Sequence, residues 1–138
     1  MALVKTTRRS RGAATIEAAL LFPVLLFLTL ALIEYGWLFL KFEETTNAAR
    51  RGARLGVTPD ATTGEVASAV GSLMSSAGMG ESGYSVTIRP ADVASLAPGE
   101  VLTVEVNVPY GNIALIGGPL VPLPGNLRAS VSMAKEGP

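Results

Sequence analysis

The chain has 138 residues, with eleven basic and eleven acidic side chains, no cysteine and no histidine. That length holds one domain beside one membrane segment and excludes two cores of ordinary size. Zero net charge gives no global field toward nucleic acid, the lack of cysteine excludes disulfides, and the lack of histidine removes Ser-His-Asp and Cys-His catalysis and the usual zinc sites.

The charges are unevenly placed. Lys5, Arg8, Arg9 and Arg11 precede the first acid, Glu17. Without them the remainder stands at −4 (eleven minus four basic, against eleven acidic). From Ala18 to Leu40 the sequence AALLFPVLLFLTLALIEYGWLFL carries Glu34 as its one charge, and its 23 residues rise about 35 Å as a helix. Such a run is long enough to span a bilayer. Basic residues before it, and Glu43 and Glu44 soon after Lys41, place the N-terminus on the cytoplasmic side. Tyr35 and Trp37 suit the outer interface. Pro23 lacks a backbone donor inside the run, which predicts a kink or a locally melted turn.

The stretch Lys41–Leu55 has no proline and many good helix formers, so the helix is expected to continue past the lipid. Gly52 and Gly56 weaken it, and Thr58-Pro59-Asp60 ends it. Ala48, Gly52 and Gly56 lie four apart, a spacing that lets another backbone approach closely. A second helix is predicted from Val66, Val70, Leu73, Met74 and Ala77, which share one face. After a Gly/Ser loop, Tyr84, Val86 and Ile88 alternate with Ser85, Thr87 and Arg89 in a short strand closed by Pro90.

The clearest strand signal is EVLTVEVNVP, with Leu102, Val104, Val106 and Val108 facing one way and Thr103, Glu105 and Asn107 the other. After Tyr110 comes GNIALIGGPLVPLPGN, an apolar Gly/Pro-rich loop bearing Ile113, Leu115, Ile116, Leu120, Val121 and Leu123. So apolar a loop needs cover: from its own sheet, from the membrane surface or from a partner. Leu127, Ala129, Val131 and Met133 then alternate in a third strand ending in Lys135 and Glu136. The expected fold is α+β: a long N-terminal membrane-spanning helix, one further helix and an antiparallel sheet of about three strands. The expected divisions are a basic leader over 1–12, the spanning helix with its continuation over 13–57, and a small extracytoplasmic domain over 58–138.

At the N-terminal junction a basic leader runs into Arg11-Gly12, four uncharged residues, Glu17 and then the apolar helix. This order resembles the processing site of type IV pilin-like proteins, in which a prepilin peptidase cuts after the glycine. The resemblance implies a processing site at Gly12 and Ala13. A carboxylate at the lip of an apolar helix is costly unless paired, and the free amine of an axially shifted neighbour is an available partner for Glu17. The other reading of Glu17 is an acid in the first turn that complements the helix dipole. An ordinary secretory signal fits poorly, because no small-x-small cleavage site follows Leu40.

A second block, Ile33-Glu34-Tyr35-Gly36 followed by Thr46-Asn47-Ala48-Ala49-Arg50-Arg51-Gly52-Ala53-Arg54, resembles the TadE-like family of pilus-assembly proteins. The family's glycine and glutamate head, proline-containing apolar helix, I-E-aromatic-G block and N-A-A-R-x-G-A-R stretch all occur in order. The resemblance implies a pseudopilin of the Tad/Flp pilus system with a structural role in assembly or adhesion. Ala18 stands where the major Tad pilins carry Tyr, which points to a minor pseudopilin. Implied partners are a prepilin peptidase, other pilin-like subunits in a hetero-oligomer, Tad inner-membrane assembly proteins and the lipid bilayer, with no nucleic acid.

Glu34 and Arg50 join Glu17 as candidates for subunit pairing, Glu34 through Lys41 or Arg50 of a neighbour. Arg50, Arg51 and Arg54 also read as a solvated helix face, or as a site for lipid headgroups or a partner acid. No catalytic, cofactor-binding or metal site is expected: Gly80-Glu81-Ser82-Gly83 is no nucleophile elbow, and Gly111–Gly118 lacks the residues of a P-loop. Two rivals remain, an uncleaved single-span anchor presenting an interaction domain and an inner-membrane assembly chaperone.

Overall fold

The computed structural model describes residues 8–117, 121–135 and 137. Lys5 with the first seven residues of the expected leader, Leu120 of the apolar loop and Glu136 lie outside the described residues. The elements are α1 (Arg8–Gly56), α2 (Thr63–Ser76), β1 (Ser85–Arg89), β2 (Val101–Pro109) and β3 (Asn126–Ala134), with a single 3-10 turn at Tyr110–Asn112. The architecture is α+β, as the patterning predicts.

One helix of 49 residues serves two environments. From Gly12 to Thr29 every residue of α1 is exposed, including Leu20 at 70% and Phe22 at 67%. This half is long and apolar enough to cross a membrane. It stays helical through Pro23, so the locally melted turn does not occur. From Glu34 onward the same helix lays one face on the head, with Glu34, Lys41, Thr45, Ala48, Ala49, Gly52, Ala53 and Gly56 buried at spacings of one, three, four and seven.

The small residues on that face have a steric reason. A Cβ built at Gly52 would stand 2.6 Å from Val70 Cγ2 of α2, and one at Gly56 would meet Leu102 of β2 as well as Val66 at 3.0 Å. The close approach at Gly52 and Gly56 is made by valine and leucine side chains of the same chain and not by another backbone, the partner that the spacing suggests. The helix ends at Gly56, followed by Asp60 in the left-handed region at φ 60°.

Helix α2 starts at a reciprocal cap. Thr62 Oγ1 accepts from the Glu65 amide while Glu65 accepts from the Thr62 amide, which satisfies donors that a helix start leaves without partners. Val66, Val70 and Met74 point into the core, whereas Leu73, predicted on the same face, is partly exposed. The sheet is an antiparallel meander in the order β1-β2-β3, with Val86 opposite Val106 and Val104 opposite Val131. Leu102, Val104, Val106 and Val108 are fully buried against the helices. On the other face Arg128 Nε donates to Glu105 Oε1 at 2.7 Å, and Thr103 and Ser132 share a hydrogen bond.

The contacts fix a polarity for the head. β2 runs antiparallel to α1, since Leu102 at its start lies near Gly56 and Tyr110 just past its end meets Glu34. The turn after α2 and the 110–125 loop thus sit at the end nearer the apolar half of α1, and residues 91–99 sit at the far end.

Replacing Gly52 with Ala is expected to destabilise the head by about 1–3 kcal/mol through overpacking, although alanine is the better helix former by about 1 kcal/mol. Gly64→Ala, where an added Cβ meets nothing within 4 Å, is expected to be neutral or stabilising. Thermal melts of the two variants in detergent check the sign of each change.

Candidate functional site

The arrangement with the least ordinary chemistry surrounds Glu34. A carboxylate in an apolar helix needs donors, and here they come from the far end of the sequence. Glu34 is 1% exposed. Its Oε1 accepts from the Tyr110 hydroxyl at 2.6 Å and from the Leu115 amide at 3.3 Å, and its Oε2 accepts from the Ile116 amide at 2.7 Å. The sequence reading offered Glu34 to Lys41 or Arg50 of a neighbour. The structure engages both of its oxygens within its own chain.

Strand β2 and the turn after it aim these donors. Pro109 ends the strand, and the Tyr110 amide donates to Gly125 O. Ile113 and Ala114 then donate to Tyr110 O in a tight turn, which leaves the next amides free to converge on the carboxylate. Burial first, and then the neighbouring Glu34, raise the Tyr110 hydroxyl well above its ordinary range, so it stays a donor at physiological pH. Two aromatic polar atoms of α1 complete the attachment: Trp37 Nε1 donates to Ile113 O at 2.7 Å and Tyr35 Oη donates to Pro122 O at 3.0 Å. Adjacent antiparallel strands need as few as two linking residues, yet 110–125 is far longer. Its length lets it wrap onto α1.

Lys41 is held one turn pair farther along. Its Nζ donates to Ala77 O at 2.6 Å and to Glu44 Oε2 at 2.8 Å, and lies 4.6 Å from the centre of the Trp37 ring. It is therefore engaged in its own chain as well. Glu17, Gly12 and Ala13 lie on the exposed half of α1, and Arg50, Arg51 and Arg54 lie on its exposed side beside the head. None of these is brought to Glu34. Ser82 is buried, and its hydroxyl donates to Met79 O at 2.7 Å in a turn. Among the described residues no cluster of Asp and Glu is placed to hold a metal ion.

Sequence reasoning missed Tyr110 and the loop amides as the partners of Glu34. The available signal was a carboxylate near the end of an apolar run, together with a later loop too apolar to stand in water. Nothing local links residues 76 positions apart.

Among the described residues one helix is long and apolar enough to cross a membrane and it carries an α+β head, which fits a single-pass membrane protein. Residues 12–54, which lie within the long helix, match the family described as TadE-like protein. That family is associated with Tad pili at the level of pseudopilins, and its pilus proteins are structural rather than enzymatic. No curated protein and no solved structure matches the chain.

Removing the carboxylate in Glu34→Ala leaves three donors facing a void, and each unsatisfied buried donor costs about 1–3 kcal/mol. Tyr110→Phe is expected to cost about 1.5–3 kcal/mol, as for hydrogen bonds to a charged group. A double-mutant cycle on melting in detergent is expected to show strong coupling between the two positions. Additive losses would mean that the hydroxyl and carboxylate do not support each other.

Proposed function

We propose that this chain is a minor pseudopilin of the Tad/Flp system, a structural subunit acting in pilus assembly or adhesion. The observation that carries the reading is the TadE-like match, which begins at Gly12, the residue after which a prepilin peptidase would cut. Under this proposal residues 1–12 form a cytoplasmic leader, 13–57 the spanning helix with its continuation, and 58–138 the extracytoplasmic head. The basic residues before the span favour that orientation in a bacterial inner membrane.

Trimming between Gly12 and Ala13 leaves the apolar helix on the mature protein. The exposure of α1 from Gly12 to Thr29 supports a role for this half in packing against other pilin-like subunits, with a bend at Pro23 to suit the bundle. Glu17 then pairs with the free amine of an axially shifted neighbour and sets register, a role that a buried and otherwise unpaired carboxylate would need. Arg50, exposed beside Arg51 and Arg54, offers positive charge to an acid of a neighbouring subunit or of a Tad assembly protein. The hydrogen bonds of Glu34 to the head favour Glu17 and Arg50 over Glu34 for that pairing.

Co-expression with a prepilin peptidase, followed by N-terminal sequencing and intact mass, tests the proposal. Loss of residues 1–12 is expected, and Gly12→Leu is expected to abolish it. An added Cβ at Gly12 meets nothing within 4 Å, so the substitution leaves the fold alone. An uncut chain beside an active peptidase would contradict the proposal and favour the uncleaved anchor. A cut chain that stays entirely in the membrane fraction when pili are sheared would favour the assembly factor.

A further inference from the structure

We infer that the Ile113–Gly117 segment is inserted in the outer leaflet, with Leu115 and Ile116 against lipid acyl chains, so that the head is seated in the bilayer and not merely tethered above it. The inference rests on the single-span reading of α1.

Three observations carry it. The first is level. The amides of Leu115 and Ile116 donate to Glu34, so their position along α1 is that of Glu34. Glu34 lies 17 residues past Glu17, about 25 Å along the helix axis, less than the roughly 30 Å of a hydrocarbon core. With Glu17 at the inner boundary, the loop lies inside the outer one.

The second is continuity of the apolar surface. On the side of α1 away from the head, Phe39 at 64% exposed, Leu40 and Phe42 continue the apolar surface beyond Glu34. The first acids after that surface are Glu43 and Glu44. Phe42 stands about 37 Å past Glu17, so the apolar surface outlasts a core of roughly 30 Å, and the loop, attached eight residues nearer the bilayer centre, stays within that core.

The third is how the loop divides its side chains. Ile113 is buried in the head core, whereas Leu115 is 53% and Ile116 42% exposed beside it. Their amides are occupied by the Glu34 carboxylate, and the Ile113 carbonyl by Trp37 Nε1. Entering lipid with these backbone groups already paired lowers the cost of placing irregular backbone in hydrocarbon. The same pairing lowers the cost of Glu34 itself at that depth.

The absence of cysteine permits a direct test on the full chain in lipid vesicles. Single cysteines at Leu115, Ile116, Phe27 and Ala94 carry an environment-sensitive fluorophore, with nitroxide lipids labelled near the headgroup end or near the middle of the acyl chain as quenchers. Leu115→Cys and Ile116→Cys are expected to show blue-shifted emission quenched best by the shallow nitroxide. Phe27→Cys, in the span, is expected to be quenched best by the deep one, and Ala94→Cys, at the far end of the head, by neither. Quenching at Phe27 without quenching at Leu115 or Ile116 would overturn the inference and leave the span intact. Loss of quenching at Phe27 as well would sink the single-span reading. Emission at Leu115 that answers to protein density in the vesicle and not to nitroxide lipid would assign the loop to a second copy, and would also overturn the inference.

Discussion

The carboxylate of Glu34 is the constraint on which the arrangement of helix and head depends. It stands where an apolar helix emerges from the head, and no charge is tolerated there without donors. The chain supplies three of them by sending a long loop back from the end of β2 to α1. That loop draws Tyr110, Ile113 and the Trp37 contact into place, and it sets the lowest point at which the head touches the helix. The carboxylate thereby fixes the height of the head along α1, in the way a polar residue fixes register in a coiled coil.

The upper half of α1 works by a different principle. Alanine and glycine at positions 48, 49, 52, 53 and 56 bring α2 and the buried face of β2 close to the helix axis, so the spanning helix is also the central element of the head core. The exposed lower half remains free to meet lipid or other helices, which suits a subunit assembled through its N-terminal helix.

Much of this fold was legible because its periodicities are strong. The alternation of Leu102, Val104, Val106 and Val108 placed β2 and its buried face, and the uncharged run from Ala18 placed the span. The Thr62 and Glu65 cap was present in the sequence as a threonine followed three residues later by a glutamate, and would have marked the start of α2. The Glu34 site was half legible: its cost was readable from the apolar context, but its partners were not. Tyr110 and the loop amides come together with it only through the β2 meander and the packing of the sheet on α1, a tertiary outcome with no local signature. For the same reason Ala48, Gly52 and Gly56 revealed that something packs closely and not what it was.

The most direct measurement of the central claim is amide hydrogen exchange, resolved by residue, on the full chain in a lipid bilayer. If the Glu34 carboxylate holds the loop, the Leu115 and Ile116 amides are predicted to exchange as slowly as those of β2, and to lose that protection selectively in Glu34→Gln while β2 keeps its own. Rapid exchange at Leu115 and Ile116 in the unaltered chain would contradict the account, because the head would then be held on α1 without the Glu34 carboxylate fixing the loop.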